Sequence, residues 1–300
     1  MRGHSEEIQA ESLIRRLIGH PIVWILPALI YLLFFVIYPL IFTLYYSFCS
    51  YTLFIGKSTF VGVENYVKLL TLPKFWQSLS ITLLFVAVCV TVEFLLGLGL
   101  ALIMSQHFKG RSVFRMLFLM PMFATPAAIG AVFRCLYNYN YGWMNYFVNS
   151  LFNVKLRWLS DSLIAPFSLM IIDIWQWTPF MMLILLAGIE SLPREPYEVA
   201  QLSGASSWQV FRYITLPYLR QVILVAIILR VMDAFKVFDI IWTTTQGGPG
   251  SSTDVLSLYA YRTAFMSLDI GTSSALAWIM AIVIMIIVTI FLRYVRLETR

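Results

Sequence analysis

The sequence predicts an all-α integral membrane protein with six transmembrane helices. Of its 300 residues, 60% are hydrophobic and only 12% are charged, whereas about a quarter of the residues of an ordinary soluble domain are charged. A chain this apolar cannot bury its side chains in one globular core, so lipid must solvate much of its surface. Six apolar stretches are each long enough to cross a bilayer, which takes about 20 residues.

These six predicted spans are separated by short polar loops. They cover residues 22–48, 78–104, 113–136, 163–188, 222–244 and 272–292. Prolines fall inside several of them, and membrane helices tolerate proline where neighbouring helices satisfy the freed backbone groups. The first stretch is too long for the core of a signal peptide and lacks a small-residue cleavage site, so we expect an uncleaved span. Residues 6–18 before it predict a short amphipathic helix at the membrane surface, with a solvated tail as the alternative.

The orientation of the spans is predicted from Lys and Arg residues, which collect in cytoplasmic loops. Four segments on one side of the membrane carry three basic residues each, twelve in all, and the other side carries six. The twelve are Arg2, Arg15, Arg16, Lys109, Arg111, Arg115, Arg194, Arg212, Arg220, Arg293, Arg296 and Arg300. We therefore expect both termini to lie in the cytoplasm. The net charge of +6 suits an anionic membrane face, and we expect no nucleic-acid partner.

Several classes of function lack their sequence patterns. Three cysteines and three histidines without ligand spacing predict neither a disulfide framework nor a metal site. The chain has no Gly-x-x-x-x-Gly-Lys-Ser/Thr segment, so we expect it not to bind ATP itself. An intramembrane enzyme would need a His-Glu-x-x-His helix or a nucleophile with its base, and neither occurs. We therefore expect no catalytic residues and no cofactor in this chain.

The loop between the fourth and fifth spans, residues 189–221, is the most informative segment. Pro196 followed by Glu198 in the first turn predicts the start of a short helix, and Gly204 predicts its end. Ser206 or Ser207 could cap a second short helix over 208–214, which Pro217 would end. Two short helices at an angle would then lie under the membrane.

The same residues resemble the cytoplasmic EAA motif of ABC importer permeases. That motif reads Glu-Ala-Ala, three residues, Gly, nine residues, Ile-x-Leu-Pro, and only Val199 departs from it here. In the family this segment is a coupling helix that docks on the ATPase; an ordinary helical hairpin is the alternative. Small residues would permit close approach, and large aromatic residues would anchor the contact. The expected coupling residues are Glu198, Ala200, Gly204, Ala205, Ser206, Trp208, Phe211, Ile214, Leu216 and Pro217.

Further stretches are similar to the maltose-type sugar permeases. They include Phe60–Tyr66, Asp173–Phe180, Asp233–Asp239 and Thr245–Pro249. The resemblance implies a type I ABC importer permease fold in the bacterial inner membrane, with a second permease subunit, an ATPase dimer that binds ATP and Mg, and an external solute-binding protein as partners. It also implies a permease domain over 78–292 that contains the 189–221 loop. Residues 1–77 would form an N-terminal segment with the first span, and 293–300 a cytoplasmic tail.

Ionisable residues inside the spans predict a buried or cavity-facing site, because each costs at least about 2.5 kcal/mol at bilayer depth. At 1.5 Å per residue, Asp173 and Asp233 lie at similar depth near the midplane. We expect solute contacts from Asp173, Gln176, Trp177, Asp233 and Lys236, whose polar groups and indole suit a polyhydroxylated solute. A structural ladder of ion pairs is the alternative, since charges three apart on a helix can pair. Glu93 is expected to be structural, and packing remains open for Trp177.

The glycine-rich turn after the fifth span is the last candidate site. Gly247, Gly248 and Pro249 could contact the solute-binding protein or form a gate, or they could be a simple connecting turn. The sequence therefore predicts a permease subunit for a sugar, polyol or oligosaccharide, driven by a separate ATPase through alternating access. An anionic sugar derivative is an alternative solute because Arg230 and Lys236 are basic. A stand-alone secondary transporter or channel is the alternative class, and it would not need the coupling loop.

Overall fold

The computed structural model describes residues 21–298, and the side chains of 24–293. The predicted surface helix over 6–18 lies outside these residues. Four described helices are long and apolar enough to cross a membrane, and a fifth span is obtained if a strongly bent pair counts as one. The helices are α1 (Pro21–Leu32), α2 (Tyr38–Ser47), α3 (Glu64–Thr71), α4 (Pro73–Ser105), α5 (Arg111–Phe123), α6 (Pro126–Leu136), α7 (Trp143–Phe152), α8 (Ile164–Glu190), α9 (Glu195–Leu202), α10 (Ser207–Val210), α11 (Leu216–Ala234), α12 (Asp239–Thr244), α13 (Leu256–Tyr261) and α14 (Ile270–Glu298).

Four predicted spans correspond to long helices. The first runs over Trp24–Ser47 through a π-helical turn at Leu33–Ile37, and the second, fourth and sixth are α4, α8 and α14. The last helix continues to Glu298, so residues 293–298 of the expected cytoplasmic tail are helical. Apolar runs predict such helices well because helical hydrogen bonding satisfies the backbone inside lipid.

The third predicted span is broken. Helices α5 and α6 meet at an angle of 94° around the extended residues Ala124 and Thr125. Pro126 explains the break, because a proline disfavours helical geometry at the residue before it. An uninterrupted helix over 113–136 was therefore a wrong expectation.

The fifth predicted span is also broken. Helix α11 ends at Ala234, and α12 begins only at Asp239. The segment between them carries Lys236, and it follows Arg230 and Asp233 on α11. These charges lower the apolarity of the fifth stretch, and α11 is not among the described helices that could cross a membrane. The described residues therefore do not show six uninterrupted spans. Irregular backbone at this depth is tolerated where it lines a cavity.

The core consists of α4 and α8 packed along each other, with α5, α11 and α14 around them. Gly97 on α4 permits this close approach, since a Cβ there would lie 2.6 Å from the Cβ of Met181 on α8. A second close contact joins the two broken spans, because a Cβ at Gly130 of α6 would lie 2.0 Å from Oγ1 of Thr243 on α12. The two breaks are thus held side by side.

A small antiparallel hairpin follows the first span. Strands β1 (Cys49–Tyr51) and β2 (Ser58–Phe60) pair with Cys49 opposite Phe60. The buried Asn65 amide donates to the carbonyls of Ser47 and Cys49, both at 2.9 Å, and so fixes the hairpin to α3. This hairpin lies at the end of the molecule where α4, α8 and α14 begin, and the 189–221 loop lies at the other end.

Candidate functional site

A buried ion cluster holds three helices together at the broken spans. Arg230 on α11 donates from Nε to Glu93 Oε2 at 2.6 Å and from Nη2 to Glu93 Oε1 at 2.9 Å, so α4 is bound in bidentate fashion. The same guanidinium contacts Asp173 Oδ2 on α8 and lies 3.2 Å from Asp233 Oδ2. The side chains of Arg230, Glu93 and Asp173 are at most 2% exposed, whereas that of Asp233 is 49% exposed.

This cluster forms one wall of a cavity of about 140 Å³, named here the central cavity. The cavity lies between the start of α6, the middle of α8 and the break between α11 and α12. Its lining residues are Pro126, Asp173, Trp177, Arg230, Asp233, Ala234, Lys236, Val237, Phe238, Asp239 and Ile240. Two broken helices therefore meet at one polar cavity, an arrangement typical of substrate sites in transporters.

Four of the five predicted solute residues line the central cavity, each in a different role. Asp173 is held by Arg230 and is almost fully buried, so its carboxylate is part of the ion cluster. Trp177 is half-buried, and the Arg230 Cζ lies over its ring, 5.2 Å from the ring centroid. Asp233 and Lys236 are the predicted solute residues with the most accessible side chains. Of the alternative ladder of ion pairs, only the Arg230–Asp233 pair is present among the described residues.

Gln176, the fifth predicted solute residue, does not line the central cavity. Its side chain is fully buried, and its Nε2 donates to the carbonyl of Ala124 at 3.1 Å. That carbonyl lies at the bend between α5 and α6, where helical partners are lost. Gln176 therefore lies apart from the other four predicted solute residues.

Sequence reasoning missed the partner that organises these carboxylates. Arg230 lies 137 residues from Glu93 and 57 from Asp173 in the chain. Its signal was available, because a lone arginine inside an apolar span almost always pairs with an acid or faces a cavity. Cys89, Glu93 and Asp173 offer atoms close enough for a metal ion. Both carboxylates, however, already bind the guanidinium, and that positive charge opposes a cation at this place.

The second site is the EAA loop, the name used here for residues 189–221. Helix α9 begins with Glu195 and Pro196 and carries Glu198 in its first turn. It ends at Leu202, and Gly204, two residues later, has a φ of +73°. The N–H of Ala205 donates to Ala200 at 3.0 Å and that of Gly204 to Gln201 at 3.1 Å, which together form a Schellman motif. The expected bend at Gly204 is present in this geometry.

A capping box starts the second helix of the EAA loop. Gln209 donates its backbone N–H to Ser206 Oγ at 3.3 Å, and the Ser206 N–H donates to Gln209 Oε1 at 2.8 Å. Tyr197 also donates its hydroxyl to Thr215 Oγ1 at 3.0 Å, which braces the two helices against each other. These bonds help to fix the angle between the helices.

Pro217 does not end this second helix, contrary to the prediction. Helix α10 continues through a π-helical turn at Phe211–Thr215 directly into α11. The N–H of Leu216 bonds to the carbonyl of Phe211, five residues earlier. This wider turn makes room for the proline ring, which would otherwise clash with the carbonyl four residues before it. An uninterrupted helix thus connects the EAA loop to Asp233 in the central cavity.

The EAA loop exposes several large apolar side chains although it lies between two membrane spans. Leu202 is 90% exposed and Trp208 is 69% exposed, and Trp208 packs against Phe211 with ring centroids 5.6 Å apart. Val199 and Tyr213 extend this surface, and sequence reasoning had not selected Val199, Leu202 or Tyr213. Of the predicted coupling residues, Glu198, Gly204, Ser206, Trp208 and Pro217 are exposed, Ala205, Phe211, Ile214 and Leu216 are half-buried, and Ala200 is buried within this chain.

The end of α8 is tied to α5 next to the EAA loop. Glu190 Oε1 accepts from Arg115 Nη2 at 2.9 Å and also contacts Arg111.

At the opposite end of the molecule, Gly248 and Pro249 line a separate outer cavity, while Gly247 packs inward against Leu258. The predicted turn residues therefore do not share one face.

Comparison with known proteins gives a consistent family. The family described as binding-protein-dependent transport system inner membrane component matches residues 93–299. The chain belongs to this family. This match leaves the predicted permease domain over 78–292 as a prediction. The helices that begin before residue 93 pack into the same core.

Relatives with full-length similarity are permease subunits of ABC transporters. The trehalose/maltose transport system permease protein MalF of Thermococcus litoralis is 39% identical, covering 90% of this chain and 91% of its own. The probable ABC transporter permease y4oQ of Sinorhizobium fredii is also 39% identical, covering 91% and 89%. The sulfoquinovosyl glycerol permease SmoG of Agrobacterium fabrum is 35% identical, covering 90% and 88%. The expected place among maltose-type carbohydrate permeases is confirmed.

A solved structure gives the same fold. A bacterial ABC transporter involved in import of the acidic polysaccharide alginate matches with a TM-score of 0.81 and 22% identity, covering 98% of this chain and 99% of that one. At this identity the likeness shows the fold alone. The predicted all-α membrane architecture of a type I importer permease is confirmed, and the chain is a multi-pass inner-membrane component.

Proposed function

We propose that this chain is the membrane subunit of an ATP-driven importer that carries a neutral sugar, polyol or oligosaccharide by alternating access. A second permease subunit completes the pathway, an external binding protein delivers the solute, and a separate ATPase dimer binds ATP and Mg. Both termini face the cytoplasm, where the ATPase lies. This chain contributes no catalytic residue and binds no cofactor.

The observation that carries the proposal is the uninterrupted helix from the EAA loop to the central cavity. From Trp208 to Asp233 it spans about 37 Å at 1.5 Å per residue. One end presents exposed apolar side chains that suit a protein partner, and the other places Arg230 and Asp233 at the cavity wall. A movement imposed on the loop by the ATPase is therefore delivered to the cavity through a single element.

The charges of the central cavity favour a neutral solute. Its lining carries three carboxylates, Asp173, Asp233 and Asp239, against the two bases Arg230 and Lys236, and Glu93 adds a further acid behind the wall. Helix α11 also ends at the cavity, where its C-terminal carbonyls add partial negative charge. Carboxylates accept hydrogen bonds from hydroxyl groups, and the Trp177 ring offers a flat apolar surface to a sugar.

Reconstitution tests this function directly. The chain, its partner permease and the ATPase are placed in liposomes, and uptake of labelled trehalose and maltose is measured with solute-loaded binding protein outside. We expect uptake of a neutral sugar that requires ATP, the ATPase and the binding protein together. Uptake that continues without ATP would instead indicate a stand-alone transporter and contradict the proposal.

An anionic sugar derivative is a second candidate because of Lys236. This side chain is exposed at the central cavity and forms no ion pair within residues 24–293. The relative SmoG is named for a sulfonated solute. A Lys236→Gln variant separates the two candidates: uptake of a neutral sugar should fall by at most a few-fold, whereas uptake of a sulfonated one should be lost.

A further inference from the structure

A second cavity, of about 490 Å³, lies at the end of the molecule opposite the EAA loop. Tyr137 at the end of α6 and Trp158 shortly before α8 form its floor, and the loop after α12 forms one side. We name it the Arg134–Arg157 cavity. Its lining residues are Arg134, Tyr137, Asn138, Tyr139, Asn140, Arg157, Trp158, Leu159, Ser160, Thr244, Thr245, Gly248 and Pro249.

The charge of this cavity is entirely positive. Arg134 and Arg157 are both exposed, and neither forms an ion pair with any residue of 24–293. Among the described residues that line it there is no carboxylate. The neighbouring Asp161 accepts from the backbone N–H groups of Leu163 and Ile164, so its carboxylate is already engaged at the start of α8. Two guanidinium groups are therefore available to an acidic ligand.

The walls of this cavity are fixed in place. The rings of Tyr137 and Trp158 stack with centroids 5.1 Å apart, and Trp158 Nε1 donates to Asn145 Oδ1 at 3.0 Å. Ser168 Oγ donates to the Trp158 carbonyl at 2.8 Å. On the other side, Thr253 Oγ1 donates to the Gly248 carbonyl at 2.7 Å, which holds the glycine-rich turn. The cavity is thus pre-organised, which lowers the entropic cost of binding.

We propose that the Arg134–Arg157 cavity receives an acidic surface loop of the external solute-binding protein. This inference rests on the proposed function, which places this end of the molecule outside the cell. Carboxylates of the loop would pair with the two guanidinium groups, and the half-buried ring of Trp158 would pack against its apolar atoms. Docking here would bring the binding protein onto α6 and α8, the helices that form two walls of the central cavity.

The position of the cavity favours a protein ligand over the transported solute. Arg134, the first α6 residue that lines it, lies eight residues or about 12 Å along the helix from Pro126 of the central cavity, and Thr244 lies four residues from Ile240 on α12. An anionic solute held by the arginines would next have to enter a cavity with an excess of carboxylates. A neutral solute would gain nothing from two guanidinium groups. A docked acidic loop uses the positive charge and need not enter the central cavity.

The test uses the complete importer in liposomes and a double variant, Arg134→Glu with Arg157→Glu. ATP hydrolysis is measured while the concentration of solute-loaded binding protein is raised. We expect the half-saturating concentration to rise at least about tenfold at low salt while the maximal rate stays unchanged, because rim charges act mainly on association. High salt should narrow the difference between wild type and variant.

A matched control reverses two exposed charges elsewhere at the same end, Lys57→Glu with Lys68→Glu. It should shift the half-saturating concentration less than about twofold. Equal shifts in both double variants would overturn the inference, since the effect would then come from overall charge. An unchanged half-saturating concentration in the arginine variant would also overturn it. A changed dependence on solute concentration at saturating binding protein would overturn it too, because it would identify a solute site. A wild-type importer that no binding protein stimulates would instead overturn the proposed function.

Discussion

The ion cluster at the central cavity finds its binding partners within this chain, whereas the surface of the EAA loop does not. In the cluster, Arg230 is paired with Glu93 and Asp173, and all three side chains are buried. In the loop, Leu202 and Trp208 project large apolar side chains into solvent. Exposed apolar groups outside the lipid core need a partner. The cluster therefore stabilises this chain, whereas the loop serves an assembly.

This difference predicts that damage to the two regions has different consequences. Changes in the cluster should lower the stability of the isolated chain, because they leave buried charges without partners. Changes on the loop surface should leave the isolated chain intact and impair only the assembled transporter. Variants that violate this division would show that the two regions are not distinct in the way the structure indicates.

The largest expected effect follows from Arg230→Met. Removing the guanidinium leaves Glu93 and Asp173 buried side by side without a counter-charge, which costs about 3–5 kcal/mol. We expect little monodisperse protein in detergent and a strongly lowered melting temperature. The same substitution at the exposed Arg212 of the EAA loop is the control and should change stability by less than about 0.5 kcal/mol. Equal melting temperatures for the two variants would break the comparison.

The next effect concerns Gly204, where a left-handed backbone is required. Asn tolerates this conformation better than other side chains and has the same shape as Asp. Gly204→Asn should therefore keep most of the uptake, while Gly204→Asp places a charge in the ATPase contact and should abolish it. Both variants should insert in the membrane in normal amounts. Normal uptake by Gly204→Asp would mean that this loop is not the coupling element.

A smaller effect is expected for Asp233, the half-exposed carboxylate of the cluster. Asp233→Asn should raise the solute concentration needed for half-maximal uptake roughly tenfold, the equivalent of one charge-assisted hydrogen bond of about 1.4 kcal/mol. Its melting temperature should match that of the wild type. Asp173→Asn should instead lower the melting temperature, because it removes a buried partner of Arg230. A lowered melting temperature for Asp233→Asn with weaker solute binding for Asp173→Asn would show that Asp233 is the structural carboxylate and Asp173 the solute contact.

The smallest effect is expected for Tyr197→Phe. This variant loses only the hydroxyl bond to Thr215 that braces the EAA loop, worth about 1 kcal/mol. Uptake should fall two- to threefold while the amount of ATPase that co-purifies stays the same. Tyr213→Phe, at an exposed loop position whose hydroxyl makes no hydrogen bond within residues 24–293, serves as the control and should keep wild-type uptake.

The sequence predicted long helices and the bend at Gly204 well, because both follow from local chemistry. Apolar runs identify α4, α8 and α14, and a glycine between a helix end and a serine cap identifies the turn. The breaks near Pro126 and Lys236 were missed, since proline and charge inside a span are compatible with either a continuous or a broken helix. The partner of Asp173 was missed because it lies 57 residues away, and only packing brings Arg230 to it.

The central claim, that the EAA loop docks on the ATPase, is tested most directly by site-specific photocrosslinking in the assembled importer. A benzoylphenylalanine is placed at Leu202, which is 90% exposed on the loop, and in a control at Ile55, which is 71% exposed at the opposite end. We expect the Leu202 probe to form a product that contains the ATPase subunit, and the Ile55 probe to form none. Crosslinking of Leu202 to lipid alone, or of both probes to the ATPase equally, would contradict the account.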